Sequence, residues 1–354
     1  MQDDQQYIKG RGAQFNPGNR FAAKHYTQEE GIDLWEQTDK IETQIFLDKS
    51  KTIINKVVSA DVPLELSANP YQGCEHGCIY CYARNTHEYW GYSAGLDFET
   101  KIIAKTNAPE LLRKTFEKKG YQAKVLSFSM NTDCYQPVER KLKITRQLLE
   151  ICLEYKHPVN ILTKNALVLR DIDILTEMHK YRLVHVSTSI TAADDSLRKV
   201  LEPRTSTIAT RLKIVAACAA AGIPTGIMFA PIIPGLNDAD MFEVLQRARE
   251  AGAFWAGYTI VRLNGAIEAI FRDWLEKNFP DKTEKVWHMI QDCHGGKVSD
   301  SRTGIRMRGE GKIAEMIRSQ FKLYCHKLGL NKESHPHNLD DFKVPFKGGQ
   351  MSLF

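Results

Sequence analysis

The sequence predicts an α/β protein with a parallel sheet built from six strand–helix units. Short apolar runs alternate with amphipathic stretches from about residue 63 onwards, a pattern typical of βαβ units. The chain has 354 residues, 43% hydrophobic and 26% charged, which is enough for a large core. Cysteines and polar residues gather just after the predicted strands, where parallel α/β proteins bind ligands.

Strands and helices alternate along the middle of the chain. The predicted strands are Leu64–Tyr71, Lys124–Met130, Val159–Thr163, Leu183–Ile190, Thr225–Ala230 and Gly257–Leu263. Two connecting helices stand out by their apolar spacing, Arg140–Tyr155 and Ile208–Ala221, and Gly222 supplies a stop signal for the second.

Other segments flank this sheet region, which spans residues 61–265. Residues 1–60 form a basic arm with Arg11, Arg20 and Lys24; we expect it to be solvated and partly ordered, with contact to substrate as the alternative. Residues 266–333 are predicted to form a helical cap. One helical face there carries Ile313, Met316, Ile317, Phe321, Tyr324 and Leu328.

Charge and hydropathy restrict the classes of partner. The net charge of +5 is a mild preference for anionic partners. Within residues 299–312, Arg302, Arg306, Arg308 and Lys312 either hold a phosphate backbone or belong to a solvated loop. No stretch is long and apolar enough to span a membrane, and the first residues lack the features of a secretion signal. We therefore expect a cytoplasmic protein.

Three cysteines form the most informative motif of the chain. Cys74, Cys78 and Cys81 have the spacing C-x₃-C-x₂-C, with Tyr80 just before the third. Three thiolates can hold three irons of a [4Fe–4S] cluster and leave the fourth iron open to a ligand. The alternative is a Cys₃His zinc site completed by His76 or His87. The remaining helical cysteines, Cys152, Cys218, Cys293 and Cys325, are predicted to be core residues.

This motif resembles the signature of the radical S-adenosylmethionine (SAM) superfamily. The resemblance implies a partial (β/α)₆ radical SAM barrel, here with a C-terminal helical extension, and an enzyme with two cofactors, a [4Fe–4S] cluster and S-adenosyl-L-methionine. In that superfamily the reduced cluster cleaves SAM, and the 5′-deoxyadenosyl radical abstracts hydrogen from the substrate. The resemblance also implies that Tyr80 lies near the adenine. The expected electron donor is a reductase, a flavodoxin or a ferredoxin.

The residues after the strands, together with Cys81–Arg84, resemble a narrower group, that of spore photoproduct lyase and the DNA-repair photolyase-like proteins. By this resemblance Lys164 pairs with the methionyl carboxylate, and Ser187 and Ser189 lie near the ribose and methionyl groups. Ser129 and Asp133 are expected at the amino end of the cofactor. Arg204 either binds cofactor or substrate, or pairs with Glu202.

One departure from that group bears on the reaction. The lyase returns a hydrogen atom from a cysteine on the second-strand segment, and the matching position here is Met130, which has no S–H bond. Cys134 is the candidate that takes over this catalytic role, and simple packing is its alternative. We therefore expect lyase-like radical SAM chemistry on nucleic acid, with DNA repair as the context. The alternatives are radical modification of a peptide or small metabolite, and a non-enzymatic iron–sulfur electron carrier or redox sensor.

The last residues of the chain resemble the bacterial peptide that binds the sliding clamp. The usual form is Gln-Leu-Ser/Asp-Leu-Phe, and the chain ends in Gln350, Met351, Ser352, Leu353 and Phe354. Residues 334–354 contain several prolines and glycines and are predicted to form a flexible tail. The alternative is that Leu353 and Phe354 fold back onto the helical cap.

Overall fold

A computed structural model of the chain describes residues 7–21, 41–62 and 64–345. Lys24 and the clamp-like peptide, Gln350 to Phe354, lie outside the described residues. The strands are β1 Gln44–Asp48, β2 Ile54–Lys56, β3 Leu66–Ala68, β4 Tyr71–Gln72, β5 Lys101–Lys105, β6 Leu126–Phe128, β7 Val159–Thr163, β8 Val184–Ser189, β9 Thr225–Ile232 and β10 Trp255–Ile260.

Helices cover the outer side of the larger sheet and continue beyond it. They are α1 Leu96–Thr100, α2 Ala108–Phe116, α3 Glu139–Leu142, α4 Ile144–Glu154, α5 Ile172–Lys180, α6 Asp195–Leu201, α7 Ile208–Ala220, α8 Met241–Glu250, α9 Ile267–Asn278, α10 Thr283–Asp292 and α11 Gly311–Leu328. Short 3₁₀ helices in the described part of the chain join them, at Tyr82–Trp90, Ala166–Asp171, Asp238–Asp240 and Pro280–Lys282. None of the helices in the described ranges is long and apolar enough to cross a membrane.

Six parallel strands form an open sheet in chain order. The order is β2-β3-β6-β7-β8-β9-β10, with only β2 antiparallel to its neighbour. Because β2 and β10 are at the two edges, the sheet is not closed within the described ranges. The predicted α/β fold with a partial barrel is confirmed. All six predicted strands are present, although the first is divided into β3 and β4, and β4 joins a small second sheet with β1 and β5.

Buried and partly buried residues alternate along the strands, and this alternation distinguishes the two faces of the sheet. In β7 and β8 the outward residues, such as Val159, Ile161 and Val186, are buried under helices. The inward residues, such as Asn160 and Ser187, are only partly buried and are mostly small or polar. The apolar core therefore lies between the sheet and the helices. The inner face remains available as a groove. The four helical cysteines are all buried in the hydrophobic clusters, as predicted.

Four local expectations were wrong. The predicted helix 140–155 is broken at Lys143 (φ 52°), because the Glu139 carboxylate accepts a hydrogen bond from the Thr145 amide (3.0 Å) and so begins α4 afresh. Met316 is 44% exposed, since Ala314, Ile317, Phe321 and Cys325 form the buried face of α11.

Part of the basic arm is buried rather than solvated, around Arg11, and this is the third correction. Arg11 is 6% exposed and donates a hydrogen bond to the carbonyl of Glu99 (2.9 Å). Arg20 remains half-exposed and pairs with Glu88 at 2.9 Å. A buried guanidinium needs acceptors, and the Glu99 carbonyl near the end of α1 supplies one. The arm therefore packs against the α1–β5 region.

The C-terminal tail is docked as far as residue 345, which is the fourth correction. The Asn338 amide donates to the Arg182 carbonyl (3.0 Å), and the Lys343 amide donates to the Tyr155 carbonyl (3.1 Å). Phe342 packs against Phe116 and His157, with ring centroids at 5.7 and 5.6 Å. Aromatic packing of this kind outweighs the flexibility expected from proline and glycine content. The segment therefore crosses the amino-terminal ends of β7 and β8.

Candidate functional site

The cysteine loop follows β4 and is shaped by two glycines. Gly73 and Gly77 have φ values of +76° and +67°. A Cβ at either position would come within 2.8 Å of another atom, the Lys101 carbonyl oxygen or the Glu99 Oε2 respectively. Only glycine fits both the backbone and the space. The loop is anchored at its ends by hydrogen bonds from the Cys74 amide to Phe98 (2.8 Å) and from the Ile79 amide to Leu201 (3.1 Å).

A buried ion pair lies directly beneath this loop. Arg84 and Glu99 are both 0% exposed, and Arg84 donates to the carbonyls of Gly77 (3.2 Å) and Cys78 (3.0 Å). Glu99 also accepts from the amides of Gly12 (3.0 Å) and Ala13 (2.8 Å), which belong to the N-terminal arm. The pair therefore fixes the shape of the cysteine loop and joins it to the arm. The sequence analysis did not identify this role.

The three cysteines of this loop are the candidate ligands of a cluster or of a single metal ion. All three are free, and Cys74 and Cys78 are each 7% exposed. Within the described ranges no three His, Cys, Asp or Glu side chains have the spacing of ligands around one ion. A [4Fe–4S] cube spreads three thiolates over three irons, so wider spacing is expected of it. His76, one of the two proposed fourth zinc ligands, already contacts Asp133 (3.4 Å) and Asn165 (3.2 Å), whereas neither ring nitrogen of the buried His87 has a hydrogen-bond partner in the described ranges.

Burial also affects the protonation of these thiols. It raises the pKa of Cys78 to about 12, although the nearby Lys164 ammonium acts in the opposite direction. Burial, followed by the Asp133 charge, raises the pKa of Cys74 well above its ordinary value. A thiolate ligand must lose its proton. Loading of a cluster here would therefore release protons.

Asp133 connects the cysteine loop to the ends of β6 and β7. Its carboxylate accepts from Thr163 Oγ1 (2.8 Å), the Tyr135 amide (2.9 Å) and the Lys164 amide (2.8 Å). Burial alone would raise the pKa of Asp133, but His76 and these donors lower it to about 2. With His76 also at 3.4 Å, the two oxygens are occupied. Its observed contacts hold the loops; a contact with the cofactor's amino group stays a prediction.

Ser129 and Cys134 face each other rather than the groove. Ser129 has a φ of 67°, and its hydroxyl accepts from the Cys134 amide at 2.9 Å. Cys134 is 0% exposed within the largest hydrophobic cluster, and Thr145 Oγ1 donates to its carbonyl (2.6 Å). This environment is that of a packed residue. Hydrogen return by Cys134 and cofactor binding by Ser129 stay predictions.

Lys164, Ser187 and Ser189 lie together on the inner face of the sheet. Ser187 is opposite Leu162 of β7, and Ser189 is two residues further along the same face. Among residues 7–21, 41–62 and 64–345, no hydrogen-bond partner is found for the side chains of these three residues. Burial opposes the charge of Lys164, but the neighbouring Cys78, Glu202 and Asp133 raise its pKa. The three residues therefore offer free polar groups beside the cysteine loop.

Tyr80 is held by a second buried ion pair, whose members exclude one of the two alternatives that the sequence left open for Arg204. Its hydroxyl donates to Glu202, and Glu202 pairs with Arg211 rather than with Arg204. Both members of the Glu202–Arg211 pair are 0% exposed. Each buried charge needs the other, because a buried charge without an opposite charge beside it is strongly destabilising. Arg204 instead lies 3.6 Å from Glu75 on the cysteine loop. An arginine on the apolar face of the predicted helix 208–221 was the available signal for Arg211.

Comparisons with known proteins agree with this geometry. The sequence model of the Radical SAM superfamily matches residues 68–248. An uncharacterized protein of Mycobacterium tuberculosis is 32% identical over 236 residues, which are 65% of this chain and 69% of that protein. An uncharacterized protein of Methanocaldococcus jannaschii is 30% identical over 219 residues, 62% of this chain and 78% of that protein.

A named relative and a solved structure are more distant. The Radical SAM Nalpha-GlyT isomerase of Pseudomonas phage M6 is 28% identical over 210 residues, which are 55% of this chain and 42% of that protein. The structure of spore photoproduct lyase complexed with dinucleoside spore photoproduct superposes with a TM-score of 0.58 at 17% identity, covering 81% of this chain and 80% of that chain. A variant of that lyase with bound AdoMet and the same dinucleoside has a TM-score of 0.57.

Proposed function

The chain belongs to the radical SAM superfamily, and from this premise we propose that it is a radical SAM enzyme that acts on nucleic acid. Cys74, Cys78 and Cys81 would hold the [4Fe–4S] cluster, because their free thiols lie on one buried loop. When bound, the cluster and SAM supply the 5′-deoxyadenosyl radical. Lys164 would bind the carboxylate of SAM, and Ser187 and Ser189 would bind its ribose and methionyl groups.

An exposed aromatic surface carries the nucleic-acid proposal. It consists of Phe21, Tyr89 and Trp90, which are 55%, 71% and 41% exposed. The rings of Phe21 and Tyr89 are stacked at 4.9 Å, and the Arg20 guanidinium lies 4.8 Å from the Phe21 ring centroid. Tyr89 and Trp90 belong to the 3₁₀ helix that begins directly after Cys81. Exposed rings beside arginine are the usual platform for unpaired bases.

One comparison supports this substrate class. The fold resembles that of a lyase solved with a dinucleoside photoproduct, although at 17% identity the likeness concerns the fold. The reaction itself is proposed as lyase-like and connected with DNA repair, but not as cleavage of a thymine photoproduct, because Met130 occupies the place of the lyase's hydrogen-donating cysteine. Modification of a peptide or small metabolite is the competing substrate class.

The experiment is anaerobic turnover with defined substrates. Reconstituted protein, a reductant and SAM are incubated in separate reactions with single-stranded DNA, duplex DNA, RNA and a peptide mixture. Each of these substrates is deuterated. We expect 5′-deoxyadenosine to form and to gain deuterium from nucleic acid only. Cys78→Ala is the matched control, which should form none. Deuterium transfer from peptide alone would overturn the nucleic-acid proposal, and absence of 5′-deoxyadenosine would favour an electron carrier.

We propose two partners in addition. A reductase, flavodoxin or ferredoxin would deliver the electron that SAM cleavage requires. A sliding clamp would bind Gln350 to Phe354, with Leu353 and Phe354 as apolar anchors. The chain is docked as far as Lys343 by its hydrogen bond to Tyr155, so the few residues beyond it are the tether for such a contact. Clamp binding would bring the enzyme to DNA that is being replicated or repaired.

A further inference from the structure

Arg262 lies at the carboxyl end of β10, the last parallel strand of the sheet. The residues on either side are fixed by hydrogen bonds from the Ile260 amide to Met307 (3.0 Å) and from the Leu263 amide to Val298 (2.9 Å). The loops at this end of parallel strands are where such folds bind ligands. Tyr82, which directly follows Cys81 and is 50% exposed, is near enough to Arg262 to act on its charge. Arg262 is therefore at the mouth of the groove.

The guanidinium of Arg262 has no partner of its own. It is partly buried, and it forms no hydrogen bond or ion pair within residues 7–21, 41–62 and 64–345. Asp61, the nearby carboxylate, is already bound by Arg306 and by the Gly304 amide. Arg306 also donates to Ser59 Oγ (2.7 Å). Burial, followed by the charge of Arg306, lowers the pKa of Arg262. The positive charges of Arg262 and Arg306 are thus balanced only by the carboxylate of Asp61 among the charged groups named here.

A group with several anionic oxygens would resolve this imbalance. Arg262 offers five donors in a planar fork, and this geometry matches phosphate, which can accept two parallel hydrogen bonds. Arg306 is held in place by Asp61 and Ser59 and is near enough to act on the charge of Arg262. The loop that carries Arg306 is thereby also fixed to β10 through Met307. The site is preorganised before any ligand binds.

We propose that Arg262, with Arg306 beside it, binds a phosphate group of the substrate at the mouth of the groove. This rests on the proposed function, because a phosphodiester of nucleic acid is the source we favour. A free phosphate or a phosphorylated small molecule has the same chemistry, and the experiment separates the two sources. Arg262 would then determine where the strand enters, while the aromatic surface of Phe21, Tyr89 and Trp90 would hold the bases.

The test compares Arg262→Gln with Arg113→Gln. Arg113 also loses one positive charge, but it is on α2 and pairs with Glu154 at the surface. A short fluorescent single-stranded oligonucleotide is titrated with reconstituted protein at several salt concentrations. We expect Arg262→Gln to weaken binding by about tenfold, as loss of a charged hydrogen bond does. The slope of log affinity against log salt should fall by about 0.7, the value for one phosphate contact on a single strand.

Two further measurements make every outcome decisive. Arg262→Lys keeps the charge and should keep the salt slope while losing affinity, which a merely structural role would not produce. Inorganic phosphate is added separately at constant ionic strength, and the unfolding midpoint is followed, since a bound ligand stabilises the native state. We expect phosphate to raise the midpoint of the wild type and of Arg113→Gln, but not of Arg262→Gln.

The outcomes separate this site from the function proposed above. If the wild type binds the oligonucleotide and Arg262→Gln binds it equally well, the phosphate site is wrong and the nucleic-acid function stands. If the wild type ignores the oligonucleotide but shows the Arg262-dependent response to phosphate, the site stands and its ligand is a small phosphorylated molecule. If neither probe binds, both proposals are overturned.

Discussion

Replacing Arg84 with methionine tests what holds the cysteine loop in shape. Arg84 is completely buried and makes an ion pair with Glu99. It also donates to four carbonyls, those of Gly77 (3.2 Å), Cys78 (3.0 Å), Ala94 (3.2 Å) and Gly95 (3.0 Å). Methionine fills similar space but donates nothing. The variant therefore leaves a buried carboxylate without its cation and several buried carbonyls without a donor.

The magnitude follows from the burial of the pair. Removing one partner of a buried ion pair typically lowers the free energy of unfolding by about 3–5 kcal/mol. This is a large share of the roughly 5–15 kcal/mol by which domains are stable. Some compensation remains, because the amides of Gly12 (3.0 Å) and Ala13 (2.8 Å) still donate to Glu99. We therefore expect a loss near 3 kcal/mol, the lower end of that range.

The assay measures stability and cluster content separately. Urea unfolding of the apoprotein gives the free energy, and iron and sulfide analysis after anaerobic reconstitution gives the cluster content. Arg113→Met is the matched control: Arg113 and Glu154 are 40% and 41% exposed, and such surface pairs contribute about 0–1 kcal/mol. The double variant Arg84→Met/Glu99→Met should recover part of the loss, since no uncompensated charge remains.

A specific result would refute this reasoning. Surface pairs change the free energy of unfolding by about 0–1 kcal/mol. If the free energy of unfolding of Arg84→Met is within about 1 kcal/mol of the wild-type value, and the variant also binds its full complement of iron, the buried pair does not shape the loop. Loss of stability with full iron content would mean that Arg84 supports the fold but not the cluster site.

Other predictions concern the cluster, hydrogen return and the C-terminal segment. Reconstituted wild type should bind about four irons and four sulfides, and Cys78→Ala should lose both the cluster and SAM cleavage; zinc bound without iron would point to the other kind of site. Cys134→Ala should still cleave SAM but change the products if Cys134 returns the hydrogen atom, and an unchanged product distribution would leave it a core residue. Phe342→Ala should lower the free energy of unfolding by about 1–3 kcal/mol, because a half-buried ring is removed from an aromatic cluster. An unchanged free energy in urea unfolding would mean that the segment is not docked in solution. Deleting residues 350–354 should abolish binding to the sliding clamp in a titration, and equal binding by both proteins would discard the peptide.

Sequence and structure contribute differently to what is known of this site. Periodicity was sufficient for the six parallel strands, because a buried strand and an amphipathic helix have different spacings of apolar residues. The loop of Cys74, Cys78 and Cys81 was evident too, since its ligands are close in sequence. The strand-end positions of Lys164, Ser187 and Ser189 followed from the strands, because side chains at the carboxyl ends of parallel strands meet at one edge.

Only the tertiary structure decided the partners of the buried charges. Glu202 has Arg204 two residues away, yet it pairs with Arg211 on α7, and Arg84 pairs with Glu99 across the loop. The same applies to Arg262, which has no hydrogen-bond or ion-pair partner in the described ranges because the nearby Asp61 is bound by Arg306 and the Gly304 amide. A charge in the interior takes whichever opposite charge the fold buries beside it. Distance along the chain does not determine this choice, so the sequence by itself determined the ligand loop and the sheet, and packing determined the network that holds them.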